Sequence, residues 1–451
     1  MIYPERLNTE IIYINEMIVD LCVRVELIKR AKYTIDIITF SQATDETGLI
    51  FLDAIRSVQI KKKVKVRFVY DHTASWIDKD FFNRSGKIMV DKKCQAKVQS
   101  ISLYNKRTGK ISWDDFYHEK LLLIDADTKD EKLIVGGRGY TDFSTLTADS
   151  AYIFRPIDSK EYYIGTDVKH NFNKIFSEIS KISKTLKNSK SIKYSVPQGF
   201  KGNDHKDKID EITNHLSKPV DLSKPLKEYQ FIPDRAQLLS NDVISNIVVS
   251  GEKVKNREIL PNDSHDTLIA DIDNFKGTID LTSYSIGFPQ PLFKAFARFI
   301  QRGNTLNLIT NGKKAHKEFV WFGTPFLYTL ETLHYFLLKT KDMKGTFNVF
   351  YLDVEKARSL NEKTFVHRKL ILFQNSNITY TGTDNFTWSS SKKNNDWLIK
   401  ICDEKLNKHL QEVIGNELKW YRKAEKKELM EKTFKRNLLY KLTRRLIISN
   451  Y

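Results

Sequence analysis

Cysteine is scarce: Cys22, Cys94 and Cys402 are the only three in 451 residues and show no paired spacing. That excludes a disulfide framework and a cysteine-based zinc cluster as organising elements. Long apolar runs are also missing. The longest, such as Leu121–Ile124 and Leu370–Phe373, are of strand length, far short of the roughly 20 residues that cross a bilayer. The opening residues Met1-Ile2-Tyr3-Pro4-Glu5 lack the basic and apolar segments of a secretory leader, so the expectation is a cytoplasmic chain without signal peptide or transmembrane helix. Acidic residues are outnumbered, 56 Asp and Glu against 74 Lys and Arg, leaving a net charge of +18. Hydrophobic residues make up 41% of the chain, enough for a core, which rules out disorder throughout. The surplus positive charge points to a polyanionic partner, either nucleic acid or the anionic face of a membrane.

The two halves of the chain carry the same succession of patterns. Tyr33 to Phe40 is β-branched and aromatic, as in a buried strand; Leu49, Leu52, Ile55 and Val58 recur at helical spacing; Val64 to Asp71 reads as a second strand. In the second half, Thr278 to Tyr284 is followed by Leu292, Phe293, Phe296, Phe299 and Ile300 at helical spacing, then by Thr305 to Asn311. Equivalent residues such as Ile35 and Ile279, or Val66 and Leu306, are separated by 240 to 244 positions. The near-constant offset indicates duplication of about half the chain, and strand-helix-strand units predict two similar α/β domains with mostly parallel sheets. A polar, turn-rich stretch places a linker at 183–227, between domains at 1–182 and 228–420. From Tyr421 onward ten Lys and Arg face three Glu, with Leu438, Leu439, Leu442 and Leu446 as apolar positions. This basic, amphipathic segment, 421–451, is expected to be a helix for an anionic membrane surface.

One unusual pattern occurs twice. Tyr117-His118-Glu119-Lys120 leads into an apolar run ending at Asp125, followed by Gly136-Gly137-Arg138-Gly139; Val366-His367-Arg368-Lys369 leads into a similar run ending at Gln374, followed by Gly382-Thr383-Asp384-Asn385. His at i and Lys at i+2 share one face of a strand. If the halves pack about a pseudo-two-fold axis, two imidazoles and two ammoniums meet at one site. One histidine can then attack while the other serves as general acid. Two lysines, with Thr383 and Asn385, would hold a phosphoryl group and stabilise charge in its transition state. That scheme calls for no metal and no cofactor. His72, His170, His205, His215, His265, His316, His334 and His409 show no such repetition and are expected to be ordinary core or surface histidines.

On these residues the chain resembles the phospholipase D superfamily, whose signature is His-x-Lys, four residues, then Asp, with a Gly-Ser-x-Asn-like segment downstream. The similarity extends over approximately residues 10 to 415, and Ile134 to Asp142 is similar to a segment of bacterial cardiolipin synthases lacking transmembrane helices. The resemblance implies two phospholipase D-like α/β domains with the active site at their interface, complete within one chain. It implies that His118 is the nucleophile forming a phosphohistidine, that His367 protonates the departing alcohol, and that Lys120 and Lys369 bind phosphate. Asp125 completes the first motif. Asp396 matches an acid that orients the opposite histidine, with Asp149 as its weaker counterpart. The departures are Gln374 where the second Asp is expected, read as a supporting residue, and Gly139 in place of Asn, which leaves Arg138 as the polar side chain of that segment. The expected activity is phospholipid hydrolysis or phosphatidyl transfer at an anionic membrane surface. The alternatives are a metal-independent nuclease and a catalytically impaired lipid-binding scaffold.

Overall fold

The computed structural model describes residues 5–40, 46–71, 96–103, 118–141, 144, 147–158, 162–180, 230–241, 247–249, 252–253, 263–315, 329, 333, 344–387, 396–425 and 429. The expected linker at 183–227 lies outside them. In the first half the strands are β1 (Thr9–Ile14), β2 (Thr34–Thr39), β3 (Lys65–Asp71), β4 (Ala96–Leu103), β5 (Leu121–Ile124), β6 (Lys132–Gly136), β7 (Thr147–Ala148) and β8 (Ala151–Pro156). Further along come β9 (Gln230–Phe231), β10 (Arg235–Asn241), β11 (Ile247–Val249), β12 (Glu252–Lys253), β13 (Thr278–Thr282), β14 (Thr305–Asn311), β15 (Thr346–Leu352), β16 (Phe365–Val366), β17 (Leu370–Phe373), β18 (Ile378–Gly382), β19 (Asp396–Cys402) and β20 (Tyr421–Lys423). The helices are α1 (Met17–Arg30), α2 (Glu46–Lys62), α3 (Ile164–Ser180), α4 (Asp263–Asn274), α5 (Gln290–Gln301), α6 (Val354–Ser359) and α7 (Glu404–Glu417).

The duplication is visible strand by strand. One sheet runs β12-β11-β4-β3-β2-β5-β6-β8-β1-β9 and the other β10-β19-β18-β17-β13-β14-β15-β20. In each, two parallel pairings join three strands (β2, β3, β4 and β13, β14, β15), and antiparallel neighbours continue the sheet from β2 or β13 through β5, β6 and β8, or β17, β18 and β19. The first-half strand β1 closes on β8 as β10 closes on β19. Thr-Ile-Asp opens both β2 and β13, and both acids are buried. Asp36 accepts from the Arg67 guanidinium at 2.6 and 2.5 Å, whereas Asp280 accepts from Asn307 at 2.7 Å and Gln374 at 2.6 Å.

Sheet membership departs from the expected boundaries at two places. Gln230–Phe231 pairs with β1, and Ile247–Val249 pairs with β4, so strands from beyond the linker extend the first sheet at both edges. Tyr421–Lys423, expected in the basic tail, pairs with β15 as an edge strand, and Leu429 packs into the second-half core. Local composition cannot reveal such pairings, because a short strand's hydrogen bonds are made with residues distant in sequence. Residues 426–428 and 430–451 lie outside the described residues.

Each sheet has two apolar faces. Helices α1 and α2 cover one face of the first sheet, and α4 and α5 one face of the second. On α5 the buried residues are Leu292, Ala295, Phe296, Phe299 and Ile300, a stripe at helical spacing. The other faces share one continuous core with α3 and α7: Tyr13, Leu121, Tyr152 and Phe172 from the first half pack in the same cluster as Val366, Leu370, Trp397 and Leu406. Each buried Leu, Val or Phe contributes about 1.5–3 kcal/mol relative to exposure, so the contact between halves is part of the fold. A parallel ribbon of β7 and β16 bridges them, Phe365 opposite Thr147 and Val366 opposite Ala148.

Candidate active site

Strand alternation and the duplication bring both His-x-Lys patterns to the seam between the halves. His118 and Lys120 precede β5, next to the C-terminal end of β2; His367 and Lys369 precede β17, next to the end of β13. The buried runs Leu121–Ile124 and Leu370–Phe373 anchor the pairs from behind. His118, Lys120 and Lys369 are buried, and His367 retains 19% side-chain exposure.

The acids cross the seam. His118 Nδ1 lies 2.7 Å from Asp396 Oδ1, and His367 Nδ1 lies 2.8 Å from Asp149 Oδ2. Each half thus supplies an imidazole and the carboxylate that orients the other half's imidazole. With Nδ1–H donating to the carboxylate, Nε2 of each ring carries the lone pair. Lys120 Nζ donates to His118 Nε2 at 3.0 Å and to the His118 carbonyl at 2.9 Å, and Lys369 Nζ donates to the His367 carbonyl at 2.5 Å.

Electrostatics keep the rings neutral. Burial, then the charges of Lys120 and Lys369, hold His118 well below its ordinary value of 6.5. Burial and Lys369 bring His367 down to about 4 despite the opposing hydrogen bond to Asp149. Burial lowers Lys369 to about 8 although Asp149 and Asp396 favour its charged form. Burial pushes Asp149 up, but the His367 hydrogen bond and the surrounding positive groups, Lys369 and Arg138 among them, outweigh it, leaving Asp149 at about 2. Near neutral pH the site therefore holds neutral His118 and His367, a predominantly charged Lys369 and an ionised Asp149, a setting suited to receiving an anion.

The glycine-containing segments act by making room. A Cβ at Gly137 would fall on the Asp149 carboxylate, and at Gly382, where φ is +149°, it would fall on the Trp397 carbonyl. Glycine therefore lets each acid-bearing segment approach. Thr383 completes the second arrangement: its amide donates to Trp397 O at 2.9 Å and its hydroxyl oxygen accepts from Trp397 N at 2.9 Å, fixing the residue after Asp396. Asn385 is buried, and its carbonyl accepts from Ser283 Oγ at 3.1 Å. Arg138 is fully buried and donates to Asp20, to Asn15 O at 2.8 Å and to Asp149 O at 2.6 Å; it holds the backbone of the acid. In the corresponding tether of the second half, Asp384 accepts from His265 Nε2 at 2.9 Å, the acid and base having changed places relative to Asp20 and Arg138.

Two expected site residues lie elsewhere. Asp125 stands at the far end of β5 from His118, where its carboxylate accepts from the backbone amides of Lys32, Tyr33 and Thr34 at 2.7–3.2 Å. With those donors satisfied, it stabilises the turn into β2 and is not among the groups gathered at the histidines. Gln374 occupies the matching place on β17 and donates to Asp280 at 2.6 Å, while Asn304 takes over part of the Asp125 task by accepting from Gly277 N at 2.9 Å. The loss of the second Asp is therefore compensated in the turn.

The sequence reading also missed an aromatic pair. Phe40 lies 4.8 Å from His118, ring centre to ring centre, and 5.2 Å from Lys120 Nζ; Tyr284 lies 6.0 Å from His367 and 5.8 Å from Lys369 Nζ. Their matching places after β2 and β13 were a usable signal, since they repeat at the duplication offset.

Residues 25–162 and 268–418 each match the sequence profile of the family described as "Cardiolipin synthase, PLD-like domain", together well over half of the chain. The chain belongs to this phospholipase D-like family. The family carries phosphodiesterases and phosphatidyltransferases, and its two matched regions coincide with the duplicated α/β halves. The structure is similar to that of phosphatidylserine synthase from Haemophilus influenzae Rd KW20, with TM-score 0.61 and 13% identity, over 96% of this chain and 93% of that one. Polyphosphate kinase from Porphyromonas gingivalis aligns with TM-score 0.48 and 10% identity, over 91% of this chain and 50% of that one. The phospholipase D family member NUC from Salmonella typhimurium aligns with TM-score 0.28 and 18% identity, over 36% of this chain and 90% of that one. The first is a likeness of fold. Among curated proteins no sequence match is found. As a phospholipase D-like chain it has no helix, among the described residues, long and apolar enough to cross a membrane.

Proposed function

We propose that the chain cleaves or exchanges phosphodiester bonds of phospholipids through a phosphohistidine. The observation that carries this reading is the crossed arrangement of His118 with Asp396 and His367 with Asp149 around two lysines. Lys120 exchanges its hydrogen bond to His118 Nε2 for the non-bridging oxygens, which it shares with Lys369, and the freed Nε2 attacks phosphorus. Substrate negative charge offsets the two ammoniums, so His367 can hold a proton on Nε2 and give it to the departing alkoxide. The neutral His367 then takes a proton from water or an acceptor alcohol, whose oxygen attacks the phosphohistidine and releases His118. Asp396 and Asp149 stabilise the positive charge that each ring carries in turn, as in a Ser-His-Asp triad. His118 is taken as the nucleophile: it is neutral, the more deeply buried of the two rings, and held by Asp396 through Nδ1 so that Nε2 carries the lone pair.

Phospholipid is favoured as substrate by the family match and by the likeness to a structure named phosphatidylserine synthase. The +18 charge suits an anionic bilayer. Peripheral attachment through the basic C-terminal segment is the matching proposal for location. Its test is removal of residues 431–451, which spares β20 and Leu429; unchanged binding to anionic vesicles would exclude the segment as the anchor. The reaction is tested by incubating the protein with labelled phosphatidylglycerol, phosphatidylethanolamine or DNA without added metal, beside His118→Ala. Phosphatidic acid or cardiolipin is the expected product. DNA cleavage without lipid products would replace this reading with a nuclease, and no product from either substrate would leave a lipid-binding scaffold.

A further inference from the structure

The residue between His367 and Lys369 does not face solvent. Arg368 is 1% exposed, and its guanidinium crosses the seam. Nη1 and Nη2 donate to the two carboxylate oxygens of Glu417, at the end of α7, at 2.7 and 2.8 Å. Nη2 also donates to Asn15 Oδ1 at 2.6 Å, and Nε donates to Ser150 Oγ at 2.8 Å. Ser150 follows Asp149, and its amide donates to Asp149 Oδ1 at 2.8 Å. The fork therefore reaches the first half one residue from the acid that orients His367. Backbone contacts reinforce the register: His367 N and Arg368 N both donate to Ala148 O, at 2.9 and 3.0 Å.

From this geometry we infer that Arg368, paired with Glu417, is a positioning residue that sets the His367–Asp149 hydrogen bond by locking Ser150 and Asn15 to the second half. A bidentate guanidinium suits the task because its planar fork fixes direction as well as distance. The counterpart in the other motif is Glu119, which is also buried but of opposite charge, so the device belongs to one half-site. The inference rests on the histidine chemistry proposed above only for its effect on turnover.

The test separates positioning from stability. Arg368→Lys keeps a positive charge beside Glu417 but cannot hold Glu417, Asn15 and Ser150 together. Should it fold poorly, Arg368→Met with Glu417→Leu removes both charges and leaves no buried ion unpaired. In histidine-labelled protein, the expected result in either folded variant is that the His367 Nδ1–H resonance moves upfield or is lost to exchange, while that of His118 stays in place. In the turnover assay kcat should fall roughly ten- to hundredfold at unchanged KM, the cost of a misplaced catalytic group. Wild-type positions for both resonances would overturn the inference. If the wild-type protein turns over no phosphodiester, the phospholipid reading fails, and the resonances still decide the role of Arg368.

Discussion

The two half-sites have the same parts in different settings. Each has a histidine held by the other half's aspartate, a lysine two residues on and an aromatic ring beneath. Around His367 the halves are laced together by the β7–β16 ribbon and by Arg368. His118 is the more deeply buried ring and has Lys120 directly on Nε2. Duplication repeats the histidine, lysine and acid in each half, while Arg368 against Glu119 and Gln374 against Asp125 make the surroundings unequal. Chemistry that needs an attacking ring and a proton-donating ring is served by that inequality.

The strongest way to break the comparison is to remove one ring at a time. His118→Ala and His367→Ala should each lower turnover by about 10⁴-fold or more, but only His367→Ala should trap labelled phosphohistidine. Trapping in His118→Ala instead would exchange the two roles. Next in size are the acids: Asp396→Asn and Asp149→Asn should each lower kcat by about 10²–10⁴-fold, because an amide favours the wrong tautomer. A loss confined to one variant, read by steady-state kinetics, would show that only one half-site depends on its acid.

Smaller effects probe the charge in the site. Burial depresses His367 from an ordinary 6.5 to about 4, so the folded chain binds fewer protons than the unfolded one between those values. Its contribution to stability is present above pH 6.5 and is lost as pH falls towards 4. For Lys369, lowered from 10.5 to about 8, the same sign makes stability rise between pH 8 and 10.5. Thermal unfolding followed across pH should show both slopes, with the acid one flattened in His367→Ala. Inorganic phosphate at 100 times its dissociation constant should stabilise the fold by about 2.7 kcal/mol, and the Lys120→Ala/Lys369→Ala double variant should lose most of this. The smallest contrast lies outside the site. Asp125→Ala should destabilise by about 1–3 kcal/mol through orphaned turn amides, and Gln374→Ala by under about 1 kcal/mol, with turnover per folded molecule unchanged in both. A kinetic effect of Asp125→Ala without loss of stability would return it to the catalytic set.

Much of the site was legible because duplication supplies an internal control. A single His on an apolar strand says little, but His118 with Lys120 recurring as His367 with Lys369 at the offset of the strands identifies a paired function. Strand alternation then places each pair on one face. The acids were harder to read: Asp149 and Asp396 meet histidines 218 and 278 positions away, and no local pattern distinguishes such an acid from a surface one. The motif aspartate misled for a related reason. Asp125 looks like part of the reaction because it travels with His118, yet one strand length separates them and its carboxylate serves backbone amides.

What the sequence alone determined is the repeated unit: the periodicities of strand and helix, the apolar runs behind each His-x-Lys, and the glycines at Gly137 and Gly382. These follow from short-range rules of side-chain direction and backbone freedom. Only the tertiary structure decided the crossing of the acids, the membership of β9, β11 and β20 in their sheets, and the burial of Arg368 against Glu417. The physical reason is shared by all three. Each rests on hydrogen bonds between segments distant in sequence, which form and gain their strength only once those segments have packed together and excluded water.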